Sequence, residues 1–379
     1  MIQKEINELR RRLAPGKNNI SKIYGCFVNG NREIVSYLDE SLGQISELEI
    51  EKYMGMLKKA ISGKLGKNLI DIVFSTQQVQ DSDEHCRLMA LKTSELKDTE
   101  AREAFYRNVI ESLDMDGSNY LLLLACDSYD VPHRGKDDEI DTDASDEVFT
   151  YYVCAICPVK DGKPELGYFS GENEFHGYAT NQIVAAPELG FLFPAFDNRT
   201  ANIYNALFYS KNASQIHQDF IDGVFHIEAP MSAQEQKDAF QTALSDALED
   251  ACSYDVAQAV HEQMNERIAQ HEETKNPEPL EITTRDVGQM LQNAGVPAEK
   301  IEAFQAKCNE DFGEGAVLNP TNLVETSKFE VATEQVKITV APEYSYLVET
   351  RVVDGKKYIM IPADEGVEVN GLSVKVKTE

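Results

Sequence analysis

The residues best suited to chemistry in this 379-residue chain are carboxylates. Asp137-Asp138-Glu139-Ile140-Asp141-Thr142-Asp143-Ala144-Ser145-Asp146-Glu147 is densely acidic. Crowded carboxylates are what hard cations such as Mg²⁺ or Ca²⁺ need. The calcium-loop pattern fails, however. Aligned on Asp141, Asp143 and Ser145, the position that requires Gly holds Asp146, and the twelfth position holds Tyr152. The segment therefore reads as a solvated acidic loop between two strong strands, with no resident metal. Asp137, Asp141 and Asp143 are the ligands it would offer if a cation bound. The competing reading is a metal-assisted hydrolase that uses the carboxylates of 127–147.

Other reactive residue types are present without the spacing their chemistry needs. Cys154-Ala155-Ile156-Cys157 is a lone CxxC inside an alternating apolar run. On a strand, residues three apart point to opposite faces, so the two thiols cannot form one zinc or redox pair. Ser62-Gly63-Lys64-Leu65-Gly66-Lys67-Asn68 resembles a phosphate loop. It has Ile61 where that loop needs Gly and Asn68 where it needs Ser or Thr, and it follows a helix instead of a strand. It reads as a helix C-terminus whose lysines complement the dipole. The seven histidines are dispersed; His133 and His176 flank the central strands and could approach acidic groups. There is no GxGxxG, GxSxG or HExxH, and no cofactor is implied.

The elements around these residues are legible from periodicity. Ile2, Ile6, Leu9 and Leu13 recur at helical spacing and predict a short amphipathic helix closed by Pro15-Gly16, with its arginines pointing outward. A hairpin follows at 23–38, then a helix over about 47–62 capped by Ser46. Tyr120 to Cys126 is a continuous apolar run, expected of a strand covered on both faces. Strands are expected at 148–159, 189–196 and 201–209, and helices at 213–222, 232–251 and 254–271. Residues 272–281 read as a linker, followed by a helical hairpin to about Asn309. Beyond 322 the pattern is all strand. Asp354-Gly355 and Asn370-Gly371 suit two-residue type I′ turns, and the segment is expected to close as a small barrel or sandwich that folds alone.

The fold class is thus α+β. A large mixed unit with a mostly antiparallel central sheet spans 1–271, with a subdomain boundary expected near 115. A linker and helical hairpin span 272–321, and a small β module spans 322–379.

Charge limits the partners. The chain carries 36 Lys+Arg and 65 Asp+Glu, a net of -29. Residues 1–67 hold 12 basic and 8 acidic side chains, whereas 68–327 hold 17 and 48. Such a body repels nucleic acid and anionic membranes over most of its surface. The basic N-terminal helix, with Arg10, Arg11 and Arg12, is the one place for a polyanion. Docking of that helix on the chain's own acidic body is the favoured expectation, each exposed pair contributing at most ~1 kcal/mol. Seven scattered cysteines, a start without an apolar leader and apolar runs too short to span a bilayer point to a reduced, cytoplasmic protein.

Three segments carry a family resemblance: Ala144–Val148 with Cys157-Pro158-Val159, Pro187 to Arg199, and Val348 to Gly355. Together they resemble an uncharacterised family of Firmicutes, mostly clostridial, domain of unknown function family 4317. The likeness runs nearly the full length and implies no activity, ligand or catalytic residue. Separately, Phe196-Asp197-Asn198-Arg199-Thr200-Ala201 is similar to a strand in the middle domain of bacterial relatives of archaeo-eukaryotic release factors. Asp197 and Arg199 would be its binding residues. The Gly-Gly-Gln peptide-release motif is absent. The leading expectation is a non-enzymatic, protein-binding or regulatory protein, with a ribosome-associated factor as the alternative.

Overall fold

The computed structural model describes the backbone of all residues except 135–139, 164, 179–181, 275–279, 364–365, 370–371 and 375–379. Side chains at 133–147, 165, 178 and 369 also lie outside the description. The molecule is α+β and divides into two compact units, one ending at Gln234 and the other starting at Glu235.

The first unit begins with α1 (Gln3–Arg12), the hairpin β1 (Lys22–Val28) and β2 (Ile34–Ser41), α2 (Glu47–Lys59) and β3 (Leu69–Val73). Three helices follow, α3 (Thr76–Asp81), α4 (Asp83–Thr93) and α5 (Thr99–Ser112), then the long strands β4 (Asn119–Arg134) and β5 (Ile140–Lys160). It is completed by β6 (Glu165–Phe169), β7 (Glu174–Tyr178), β8 (Ile183–Val184), β9 (Leu189–Phe193), β10 (Ala195–Asp197), β11 (Thr200–Asn202), β12 (Asn205–Ser210) and α6 (Gln218–Phe225). The main sheet has the order β2-β1-β4-β5-β9-β12-β3, with β8 beside β5, and every pairing is antiparallel.

This sheet separates two cores. Along β5, Tyr152, Cys154 and Ile156 join the core covered by α4, α5 and α6. Phe149, Tyr151, Val153, Ala155 and Cys157 join the core covered by α1 and α2. Apolar residues at every position are the sequence mark of a strand buried on both faces. Cys154 and Cys157 therefore lie on opposite sides of the sheet. At Gly25 on β1 the backbone of β4 comes so close that an added Cβ would sit 2.1 Å from the Leu122 carbonyl oxygen.

The acidic segment differs from its expectation. From Ile140 onward it is strand, paired back onto β4 through Asp141↔His133, Ser145↔Pro132 and Glu147↔Val131. Register shifts around Pro132 let the ladder continue past a residue with no N–H to donate. The remainder of the expected loop, with Asp137, lies outside the described residues.

The second unit holds α7 (Ala233–Leu248), α8 (Tyr254–Thr274), β13 (Ile282–Thr283), α9 (Thr284–Asn293), α10 (Ala298–Phe312), β14 (Val317–Leu318) and α11 (Pro320–Leu323). The sequence reading draws its first boundary at 271, whereas the contacts place α7 and α8 here. The cause is burial: Phe240, Leu248, Val260 and Met264 share a core with Ile282, Leu291, Phe304 and Leu323. The centre of the expected linker, 275–279, lies outside the described residues.

The C-terminal strands pair as three separate hairpins: β15 (Phe329–Ala332) with β16 (Lys337–Val340), β17 (Glu349–Val353) with β18 (Lys356–Met360), and β19 (Val367–Val369) with β20 (Leu372–Val374). Asp354 and Gly355 have φ of 50° and 76°, the conformation a type I′ turn requires. The Asn370-Gly371 turn lies outside the described residues. No closed barrel or sandwich forms among the described residues. The segment leans instead on α8: Tyr254 donates to the Val348 carbonyl at 2.7 Å, Gln258 donates to the Ser345 carbonyl at 3.0 Å, and Phe329 packs on His261. A lone two-stranded hairpin is marginal in water. Residues 322–379 expressed alone should therefore give no cooperative thermal transition, and a sigmoidal melt of that fragment would refute this dependence on α8.

Candidate functional site

The residues that the sequence singles out at the N-terminal end and at 197–199 come together in the first unit. Burial of Ile6, Leu9 and Leu13 fixes α1 on the sheet. That orientation gives one flank of the helix, carrying Glu5, Glu8 and Arg12 at spacings of three and four, to the strands below.

Arg12 does not point outward with its neighbours. Its Nε and Nη2 donate to Asp127 at 3.1 and 3.0 Å, and Nη2 also reaches the Ser128 carbonyl at 3.3 Å. Its guanidinium lies over the Tyr129 ring, 4.2 Å from the centroid. Asp127 is 1% exposed. Besides Arg12 it accepts from the Asn19 backbone N–H at 2.7 Å and the Tyr151 hydroxyl at 2.9 Å. Burial, then the adjacent Asp127 charge, pushes the Tyr151 phenol well above its ordinary pKa, so it stays a donor. Arg12 points inward because Asp127, buried in the middle of β4 just past the apolar run 120–126, offers both carboxylate oxygens to its guanidinium.

Arg199 forms the second half of the cluster. Asp197 and Thr200 pair across a two-residue turn, and Asn198 and Arg199 both have positive φ, 49° and 64°. The turn aims Arg199 at α1. Its Nη1 donates to both Glu8 carboxylate oxygens at 3.3 and 3.1 Å, its Nη2 to the Pro132 carbonyl at 3.1 Å, and its backbone N–H to Glu5 at 3.2 Å. Tyr129 donates to the same Glu8 carboxylate at 2.5 Å. Burial, then the Glu8 hydrogen bond, pushes its phenol up to about 12. Asp197 accepts from Asn202 at 3.2 Å.

These groups satisfy one another, so the cluster works as a clamp between α1, the β4–β5 strands and the 197–200 turn. Arg11 is exposed and Arg10 is half-buried. Arg10 donates to the Asn7 side chain at 3.3 Å and Arg11 to the Asn7 carbonyl at 3.1 Å. Among the described residues, no three His, Cys, Asp or Glu side chains converge as metal ligands. The side chains of Asp141 and Asp143 lie outside the description, as does Asp137 altogether. No helix among the described residues is long and apolar enough to cross a membrane.

Large apolar side chains are exposed on the β6–β7 hairpin of the first unit, at Leu166, Tyr168 and Phe175, and on the β17–β18 hairpin of the second, where the sequence reading assigned a core. On β17 and β18 every residue but Ile359 is exposed. Val353, Tyr358 and Met360 are 46%, 46% and 40% exposed on one face, and Val352 is 68% exposed on the other. The pairing Arg351↔Tyr358 and Val353↔Lys356 sets basic side chains beside the apolar ones. The signal was visible in the sequence. Val352-Val353 and Tyr358-Ile359-Met360 are apolar on both faces, and among the described residues these two strands pair only with each other.

A family model described as domain of unknown function DUF4317 matches residues 1–372. No curated protein and no solved structure matches the chain.

Proposed function

The chain belongs to the DUF4317 family, which is defined without an activity, and we propose from its surfaces that it is a non-enzymatic cytosolic protein whose task is to bind another protein. The observation that carries this reading is the β17–β18 hairpin. Its backbone pairs only within itself among the described strands, and it displays Val352, Val353, Tyr358 and Met360 to solvent. Aromatic and apolar side chains on a protruding strand pair are what a partner buries at the centre of an interface. Arg351, Lys356 and Lys357 suit a partner surface that is apolar with an acidic border.

The test uses Val353→Thr/Tyr358→Thr/Met360→Thr, which keeps strand propensity and removes apolar area from one face. Because these side chains are exposed, unfolding free energy should change by about 0.5 kcal/mol or less per site. Affinity purification of the wild type from its native cell should yield one stoichiometric protein, and the variant should recover about tenfold less of it. Equal recovery by the variant would refute the hairpin as the binding surface. Ribosomal proteins in place of a single partner would replace this reading with the ribosome-associated one.

A further inference from the structure

The second unit contains a cleft of about 510 Å³ between α7, α8 and residues 323–330. Phe240, Val256, Val260, Leu323 and Phe329 line it, each at most 8% exposed. A volume of this order suits a small organic molecule. An apolar lining alone does not say which one, but the mouth does.

Two carboxylates at the mouth are already engaged. Glu325 accepts from the Ser327 backbone N–H at 3.2 Å and from its hydroxyl at 2.7 Å. Glu330 is bridged by Lys328 and Lys337, each at 2.8 Å. His261 bonds through Nε2 to the Glu325 carbonyl at 2.9 Å, and burial holds its pKa below the ordinary value, so it adds no charge at neutral pH. Lys237, half-buried on α7, is different. Its charge helps to lower the pKa of Glu325, but it makes no ion pair or hydrogen bond among the described residues. The charged side chains lining the cleft are Lys237 and Lys328 against Glu325 and Glu330; Lys328 is taken up by Glu330, which leaves Lys237 as the lining ammonium without an ion pair among the described residues.

We propose that this cleft binds a small amphipathic monoanion, an aliphatic carboxylate, with its chain against Phe240, Val260 and Phe329 and its head on Lys237. A cationic amphiphile would meet Lys237 with repulsion, and a neutral one would leave the ammonium without a partner. For a ligand of this size the dissociation constant should be on the order of 0.1 mM.

Cys252 provides the readout. It is exposed and lines the cleft, whereas Cys86, also exposed, lies in the other unit and serves as an internal control. The probe is dodecanoate, added to the full chain at about 1 mM while N-ethylmaleimide alkylation of each thiol is followed by mass spectrometry. Cys252 alkylation should slow about tenfold, in line with site occupancy, and Cys86 alkylation should not change. Lys237→Glu should abolish the protection and Lys237→Arg should retain it, circular dichroism confirming that both fold. The proposal is overturned if Cys252 is not protected, if Cys86 slows equally, or if Lys237→Glu is protected like the wild type. Equal protection by dodecyltrimethylammonium would also overturn it, since the head group would then play no part.

Discussion

Replacing Arg12 by alanine should destabilise the first unit by about 3 kcal/mol or more, because it strands a buried charge. Asp127 would keep the Asn19 N–H and the Tyr151 hydroxyl but lose its only cationic partner among the described residues. For a unit of this size the melting temperature should fall by roughly 10 °C. The sequence alone leads to a smaller figure, since it treats the arginines as surface partners worth at most ~1 kcal/mol each. Arg10→Ala and Arg11→Ala should follow that smaller figure. Arg12→Lys should fall between, keeping the charge and losing the two-pronged geometry. A melt of Arg12→Ala within about 2 °C of wild type would mean that Asp127 is adequately served without it. A double-mutant cycle with Asp127→Ala would then measure how much the pair itself contributes.

A second large effect is expected at Gly25. A Cβ there would lie 2.1 Å from the Leu122 carbonyl oxygen and 3.4 Å from the Leu123 Cα, both backbone atoms that cannot rotate away. Gly25→Ala must therefore push β1 from β4 along the Tyr24–Val28 ladder. The cost should be about 3 kcal/mol or more, as for other overpacked interiors, and β2 should loosen with β1. Hydrogen exchange across 22–41 would report it. Unchanged protection of those amides in Gly25→Ala would show that the strands can separate at little cost.

Local rules carried most of the fold. The Ile6/Leu9/Leu13 stripe, the Ser46 cap answered by Glu49, and the Asp354-Gly355 turn all act over a few residues, and the structure has each of them. The CxxC geometry followed from strand alternation alone. What failed depends on contacts made far along the chain. Arg12 sits among three arginines that look alike, and only the strand beneath α1 tells it from the others. Helices α7 and α8 belong with 280–323 because of a shared core, which no local pattern announces. The terminal strands are apolar on both faces, which from sequence reads as burial. They pair instead as separate hairpins, and Val352, Val353, Tyr358 and Met360 are exposed.

The clamp on α1 also imposes an order on synthesis. Arg12 waits for a partner 115 residues later, and Glu8 for one 191 residues later. At roughly 5–20 residues per second, a ribosome needs about 10–40 s to supply Arg199 after Glu8 has been made. Through the first 115 residues of that interval the helix also lacks Asp127, so Arg12 is unpaired, and the β4–β5 strands that share its apolar core are still to come. The segment translated first is thus among the last to be secured, and the nascent chain passes through a basic, partly apolar state that the finished acidic protein no longer displays.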